Sequence, residues 1–155
     1  MIRIESSVEI EQPAEEVFDY ISDLSNLREW QAGVIESRVV TPGPVGVGTI
    51  FEETAKVGFW KMLATCTVVE FARPRVMAFK ATSTGPIEYD GALRVEAGSA
   101  GTRLAITGNA RLKGIWRLLE PLLGSDIRRE TKEELQAVKR NLAARAARRI
   151  DANAK

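Results

Sequence analysis

The spacing of apolar and polar positions changes period twice along the chain. Residues 2–11 are rich in β-branched side chains and partly alternate, which predicts a first strand. Apolar residues three and four apart then predict a helix over residues 13–21, with Pro13 in its first turn, and a second short helix over 26–30. After Trp30 the alternation returns and predicts six more strands, over residues 34–41, 48–57, 61–72, 76–83, 87–96 and 102–110.

The last third of the chain returns to helical spacing. Over residues 112–148 the apolar positions lie mostly three or four apart, at Trp116, Leu119, Leu123, Ile127, Leu135, Val138 and Leu142. Pro121 and Gly124 interrupt this run, and a proline inside a helix removes a backbone hydrogen bond. We therefore expect one long helix with a kink or break within residues 118–124.

This order of elements predicts an α+β fold around a cavity. The short connections between the strands favour an antiparallel meander, because parallel neighbours need a crossover of about a dozen residues or more. One long amphipathic helix is available to cover the apolar face of a seven-stranded sheet, so the sheet must curve around it. A curved sheet and a single helix leave space between them, and such a space is where a small molecule binds.

Composition indicates that the chain forms a single soluble domain. The chain has 155 residues, of which 45% are hydrophobic and 28% charged, values typical of a globular protein. We predict one domain over residues 1–148, followed by a basic tail over 149–155 that frays. From residue 139 onward six basic residues face one acid, which either complements a helix C-terminus or binds an anionic partner. The overall net charge of +1 argues against nucleic acid as a partner.

Two residue counts exclude several kinds of chemistry. The chain has no histidine, which excludes histidine-based triads and imidazole metal sites, and we expect neither a metal nor a cofactor. Its one cysteine, Cys66, lies in a predicted strand, so we expect a small buried side chain rather than a nucleophile. No run of about 18 apolar residues predicts a membrane span, and no leader segment is evident, which makes the cytoplasm the expected location.

Three segments carry a family resemblance: residues 7–23 with Asn26, Leu27 and Trp30 behind them, residues 43–51, and residues 118–135. Together they resemble the polyketide cyclase/dehydrase and lipid-transport family, a branch of the START and Bet v 1-like helix-grip superfamily (SRPBCC). The resemblance implies a curved seven-stranded antiparallel sheet wrapped around a long C-terminal helix. It implies no common activity, since the family includes cyclases, lipid and quinone binders and stress-response proteins, and it carries no catalytic residues onto this chain.

Alternation along residues 87–96 selects the residues that face the predicted cavity. Tyr89 and Leu93 share the inward face, where the Tyr89 hydroxyl either bonds a ligand or finds a backbone carbonyl within the core. On the long helix Glu134 interrupts the apolar face; it is either a proton donor or acceptor raised in pKa by burial, or a solvated residue at the edge of the face. The candidate cavity residues are Tyr89, Phe51, Phe79, Leu93, Trp116, Leu119, Leu123, Ile127 and Glu134.

Two loops remain. Phe59 and Trp60 follow Gly58 in a predicted hairpin, where they close the cavity mouth, touch a membrane or a partner, or pack over the helix, and we favour packing. The glycines of residues 43–48 precede a strand rather than a helix, so they indicate a turn and not a phosphate-binding loop.

Three functions fit this sequence. The first is a carrier or sensor for an apolar or amphipathic molecule such as a lipid, an isoprenoid or a polyketide-like compound. The second is a cofactor-free cyclase or dehydratase that uses Tyr89 and a helix glutamate. The third is a protein-interaction module with a filled core. We favour the first; the sequence leaves the ligand and the oligomeric state open.

Overall fold

A computed structural model describes residues 1–57 and 60–154 of the chain. Two 3-10 turns, Leu24–Asn26 and Gly114–Leu119, precede the second and third helices. In chain order the elements are β1 (Ile2–Ile10), α1 (Ala14–Ser22), α2 (Leu27–Trp30), β2 (Val34–Val39), β3 (Ile50–Val57), β4 (Trp60–Ala72), β5 (Val76–Ser83), β6 (Ile87–Gly98), β7 (Gly101–Leu112) and α3 (Glu120–Asn153).

Within the described residues the strands form one seven-stranded antiparallel sheet, in the order β1-β7-β6-β5-β4-β3-β2. Strands β2 to β7 follow the chain as a meander, as the short connections predict. The first strand returns to pair with the last, from Ile2 opposite Ala110 to Ile10 opposite Thr102. The α+β helix-grip architecture expected from the element order is therefore confirmed.

The helix α1 begins as its sequence predicts. Pro13 precedes its first residue, and Glu15 and Glu16 lie in the first turn, where negative charge stabilises the positive end of the helix dipole. Phe18 and Ile21 are completely buried and belong to the same core as strands β1, β6 and β7. This helix therefore closes one end of the curved sheet.

The long helix α3 lies across the concave face of the sheet. From its middle onward it buries Leu135, Val138 and Leu142 in the core, and each of these side chains is at most 1% exposed. The helix packs against β1 and α2. The sheet is thus covered by α3 together with the two short helices.

Both ends of α3 differ in detail from the sequence prediction. Leu112 ends strand β7, and a 3-10 turn occupies residues 114–119, so the α-helix begins only at Glu120. The predicted break is therefore the start of α3, with Pro121 in its first turn, where the missing N–H costs no hydrogen bond. At the other end the helix continues to Asn153 rather than ending at 148, and Arg149 forms an ion pair with Glu16 of α1.

The glycine-rich stretch is a loop between two strands. Gly43 and Gly48 have φ angles of 92° and 90°, which favour glycine because it lacks a Cβ atom. Strand β3 follows the loop, as the sequence predicts, so the loop does not lead into a helix.

Candidate ligand cavity

A cavity of about 350 Å³ lies between the concave face of the sheet, the helix α2 and the middle of α3. Its volume falls at the lower end of the roughly 300–1,000 Å³ that small-molecule pockets occupy. The walls are mostly apolar, from side chains such as those of Leu27, Trp30, Phe51, Met77, Phe79, Leu93, Ile106 and Ile127.

Strand alternation places the apolar wall. Phe51 on β3 and Leu93 on β6 are at most 3% exposed, and both line the cavity. Gly91, two residues before Leu93, faces the same side, and a Cβ atom there would lie 3.1 Å from the ring of Phe79. The absence of a side chain at this position therefore leaves space beside the Phe79 ring.

A polar cluster interrupts this apolar wall. The Tyr89 hydroxyl on β6 donates a hydrogen bond to Oε2 of Glu53 on β3 at 3.2 Å. The Cys66 sulfur on β4 lies 3.6 Å from the same hydroxyl oxygen. Glu53 is only 6% exposed and, with Tyr89, lines the cavity. The three strands thus place a carboxyl, a phenol and a thiol in one chain of contacts.

Burial determines the protonation of this cluster. It raises the pKa of the Glu53 carboxyl, and the hydrogen bond from Tyr89 opposes that rise only in part. Burial and the neighbouring Glu53 raise the pKa of the Tyr89 phenol and bring that of the Cys66 thiol to about 12. The phenol and the thiol therefore stay protonated near neutral pH, and Cys66 is not an activated nucleophile.

A second carboxyl enters the cavity from α3. Burial, followed by the charges of Glu130 and Glu53, raises the pKa of Glu134 from 4.5 to about 8, while the backbone N–H of Ala32 acts in the opposite direction. At neutral pH Glu134 is thus mainly protonated, and a protonated carboxyl donates a hydrogen bond. Of the two alternatives for Glu134, burial therefore favours the carboxyl with a raised pKa over a solvated residue at the edge of the helix face.

The cavity opens where the α2–β2 connection approaches α3. The exposed lining residues there are Ala32 and Gly33 of that connection, Lys56 near the end of β3, and Glu130 of α3, while Thr107 on β7 is a further exposed lining residue. A cation and a carboxylate therefore flank an opening that leads to an apolar interior.

Most of the predicted cavity residues meet here, and three do not. The residues that line the cavity are Tyr89, Phe51, Phe79, Leu93, Ile127 and Glu134. Trp116, Leu119 and Leu123 are instead 37–40% exposed and are not among the lining residues. The helical spacing that leads back from Ile127 to Leu123 and Leu119 is real, but the first turns of α3 and the preceding 3-10 turn are not covered by the sheet.

The predicted mouth residues cannot be placed. Phe59 lies outside the described residues. Trp60 begins strand β4, and its side chain lies outside the described part of the structure.

Sequence reasoning missed Glu53. Phe51 was expected to face inward, and side chains two positions apart on a strand share a face, so the alternation alone places Glu53 beside it. The adjacent Glu52 obscured this signal, because two consecutive acids suggest a solvated strand. In the structure Glu52 instead pairs with Arg38 on the neighbouring strand.

The described residues show neither a metal site nor a membrane-spanning helix. The described residues bring no three acidic or cysteine side chains into a group that could hold a metal ion. Across residues 1–57 and 60–154, no helix is both long and apolar enough to cross a lipid bilayer.

Comparison with known proteins identifies the family. Residues 1–146 match the family model described as polyketide cyclase / dehydrase and lipid transport. The chain belongs to that family. No curated protein matches it. The family and the fold together are those of hydrophobic-ligand-binding and polyketide cyclase-like proteins.

Solved structures share the fold of this polyketide cyclase/dehydrase family member at low sequence identity. A conserved protein from Geobacillus kaustophilus is 16% identical, with a TM-score of 0.76 over 92% of this chain and 96% of that one. The Zhui aromatase/cyclase from Streptomyces sp. R1128 is 17% identical, with a TM-score of 0.74 over 93% and 94%. Ara h 8.0201 is 12% identical, with a TM-score of 0.70 over 92% and 97%.

Proposed function

We propose that this protein binds one compact apolar or amphipathic molecule in the cavity and acts as its carrier or sensor. The observation that carries the proposal is an apolar cavity of about 350 Å³ with a polar cluster on its wall. A volume near the lower end of the usual range favours a small isoprenoid or an aromatic polyketide-like compound over a long-chain lipid.

The polar cluster gives the ligand an orientation. Keeping the carboxyls of Glu53 and Glu134 away from water costs free energy unless they find partners. A ligand carbonyl or hydroxyl would accept a hydrogen bond from protonated Glu134, while its apolar body contacts Phe51 and Leu93. We therefore expect a ligand with one polar end.

The second candidate is a cofactor-free cyclase or dehydratase. It is favoured by the convergence of Tyr89, Glu53 and Glu134 on one cavity, since general acid–base catalysis works best when a group titrates near the operating pH. Glu134, with a pKa of about 8, meets that condition. The raised pKa of the Tyr89 phenol makes Tyr89 a hydrogen-bond donor and not a base.

The test begins with native mass spectrometry of freshly purified protein, followed by organic extraction of anything released. We expect a stoichiometric apolar adduct. Ile106→Trp, which fills the cavity, should abolish the adduct, whereas Ile35→Trp on the exposed side of β2 should leave it unchanged. An apo protein whose melting temperature does not rise with any added hydrophobic ligand would overturn the proposal.

Turnover of the extracted compound separates the two candidates. A carrier leaves the compound unchanged, and Glu134→Gln then alters only the dissociation constant. An enzyme converts the compound, and Glu134→Gln lowers kcat while Ile35→Trp does not.

A further inference from the structure

One carboxylate oxygen in the cavity wall has no hydrogen-bond donor. Glu53 is 6% exposed and lines the cavity, and the Tyr89 hydroxyl donates to its Oε2. Among the described residues none donates a hydrogen bond to the other oxygen, Oε1. Buried polar atoms in native proteins nearly always have a partner. A donor for Oε1 must therefore come from whatever occupies the cavity.

The charged side chains that line the cavity are mostly acidic. Glu53 and Glu134 lie inside, and Glu130 lies at the opening. A fourth acid, Asp90, is hydrogen-bonded to an asparagine on β7. Among the described lining residues the one basic side chain is that of Lys56, at the opening. No ion pair between described residues includes Glu53 or Glu134.

The two inner acids repel each other. Burial is the first cause that raises the pKa of Glu134, and the charges of Glu130 and Glu53 add to it. A neutral group of a ligand can bond to one of these carboxyls, but it leaves the repulsion in place. A cation that approaches both carboxyls removes the repulsion, and its attraction to them offsets the loss of its own hydration.

Aromatic rings complete the surroundings of these acids. Trp30, Phe51, Phe79 and Tyr89 line the same cavity. The rings of Phe79 and Tyr89 meet edge to face, with their centres 6.2 Å apart. The face of an aromatic ring carries partial negative charge, and ammonium groups bind against such faces in many proteins. The cavity wall thus combines acids and rings that both attract a cation.

From these observations we propose that the ligand is an amphipathic amine, with a compact apolar body and an ammonium group that lies between Glu53 and Glu134. An ammonium group has N–H donors and no acceptor, so it supplies a donor to Oε1 of Glu53 and a positive charge to both acids. A carboxylate would instead bring a further negative charge into the cavity, which excludes ligands of the fatty-acid type. This inference rests on the proposed function and specifies the polar end of its ligand.

Three probes of one shape test the proposal on the full chain. Naphthylethylamine, naphthylethanol and naphthaleneacetate share an apolar body and differ in the polar end. Isothermal titration calorimetry at neutral pH measures the three dissociation constants. We expect the amine to bind about tenfold or more tightly than the alcohol, because charge-assisted hydrogen bonds are stronger than neutral ones. The acetate should show no binding.

Variants of the two acids locate the ammonium group. Glu53→Gln and Glu134→Gln should each weaken binding of the amine about tenfold, since each removes one charged partner. Both variants should still bind the alcohol, which shows that the cavity is intact. Glu52→Gln and Glu133→Gln each remove the same charge from a neighbouring residue that does not line the cavity, and they are the matched controls. Neither control should change the affinity for the amine.

The alcohol distinguishes failure of this proposal from failure of ligand binding as such. An alcohol that binds as tightly as the amine would overturn the amine proposal and leave the proposed function standing. An amine that binds Glu53→Gln and Glu134→Gln as tightly as wild type would do the same. If none of the three probes binds, the amine proposal fails together with the binding of compact apolar molecules.

Discussion

The two halves of α3 serve different purposes. From the middle of the helix onward Leu135, Val138 and Leu142 are almost completely buried, whereas in the first turns Leu122 is 70% exposed. The two halves also differ in their charged contacts. Arg145 pairs with Glu29 at 3.1 Å and lies 4.7 Å above the centre of the Tyr20 ring, which ties the C-terminal half to the short helices.

This difference separates two roles along a single helix: one part stabilises the core, and another part lines the cavity. The C-terminal half is tied to α2 through Arg145 and Glu29, and the part before it supplies Ile127 and Glu134 to the cavity. Substitutions can therefore perturb one role and spare the other, and the expected effects below run from the largest to the smallest.

The largest effect should follow from a cavity made in the core beneath the C-terminal half of α3. Leu142→Ala should lower the free energy of unfolding by about 2–5 kcal/mol, because the side chain is fully buried and its neighbours can relax only in part. Leu122→Ala in the exposed first turns of α3 should change the free energy of unfolding by less than about 0.5 kcal/mol. Equilibrium urea unfolding measures both, and losses of similar size would contradict the division of α3.

A smaller effect should depend on pH. The folded-state pKa of Glu134 is raised from 4.5 to about 8, so the folded protein holds a proton that the unfolded chain releases within that window. The free energy of unfolding should therefore fall as the pH rises from about 5 to about 8. Glu134→Gln should reduce the slope and exceed wild type in stability at pH 8 by a few kcal/mol.

Chemical denaturation at several pH values measures this dependence. Glu133→Gln is the matched control, because Glu133 lies one residue away on the exposed side of α3. Parallel curves for wild type and Glu134→Gln would show that the carboxyl is solvated after all.

The smallest effect should come from the ion pair that ties α3 to α2. Arg145→Ala should cost about 1 kcal/mol or less, because both side chains are partly exposed, at 39% and 47%. The loss should shrink as salt is added, since screening weakens exposed charge pairs. A salt-independent loss of several kcal/mol would mean that Arg145 acts through packing over Tyr20.

Local patterns predicted the scaffold and one wall of the cavity. Alternation along β6 was sufficient to place Tyr89 and Leu93 on the cavity side, because a side chain on a strand points to one of only two faces. Helical spacing failed on α3, where Leu119 and Leu123 follow the spacing of Ile127 but extend beyond the sheet. The spacing of apolar residues within α3 does not show where the sheet that covers the helix ends. The raised pKa of Glu134 likewise depends on its burial and on the charge of Glu53, which is distant in sequence.

The position of β1 beside β7 bears on how the chain acquires its fold during synthesis. Ile2 pairs with Ala110, so the first strand waits until nearly the whole sheet has left the ribosome. Contacts between residues so far apart in sequence close slowly, because the loop entropy is lost before the pairing compensates for it. Strands β2 to β6 emerge earlier and pair locally, while the apolar face that α3 will cover stays open. A nascent chain of this topology therefore needs its last helix before its interior is shielded from other chains, and chaperone demand should peak just before α3 emerges.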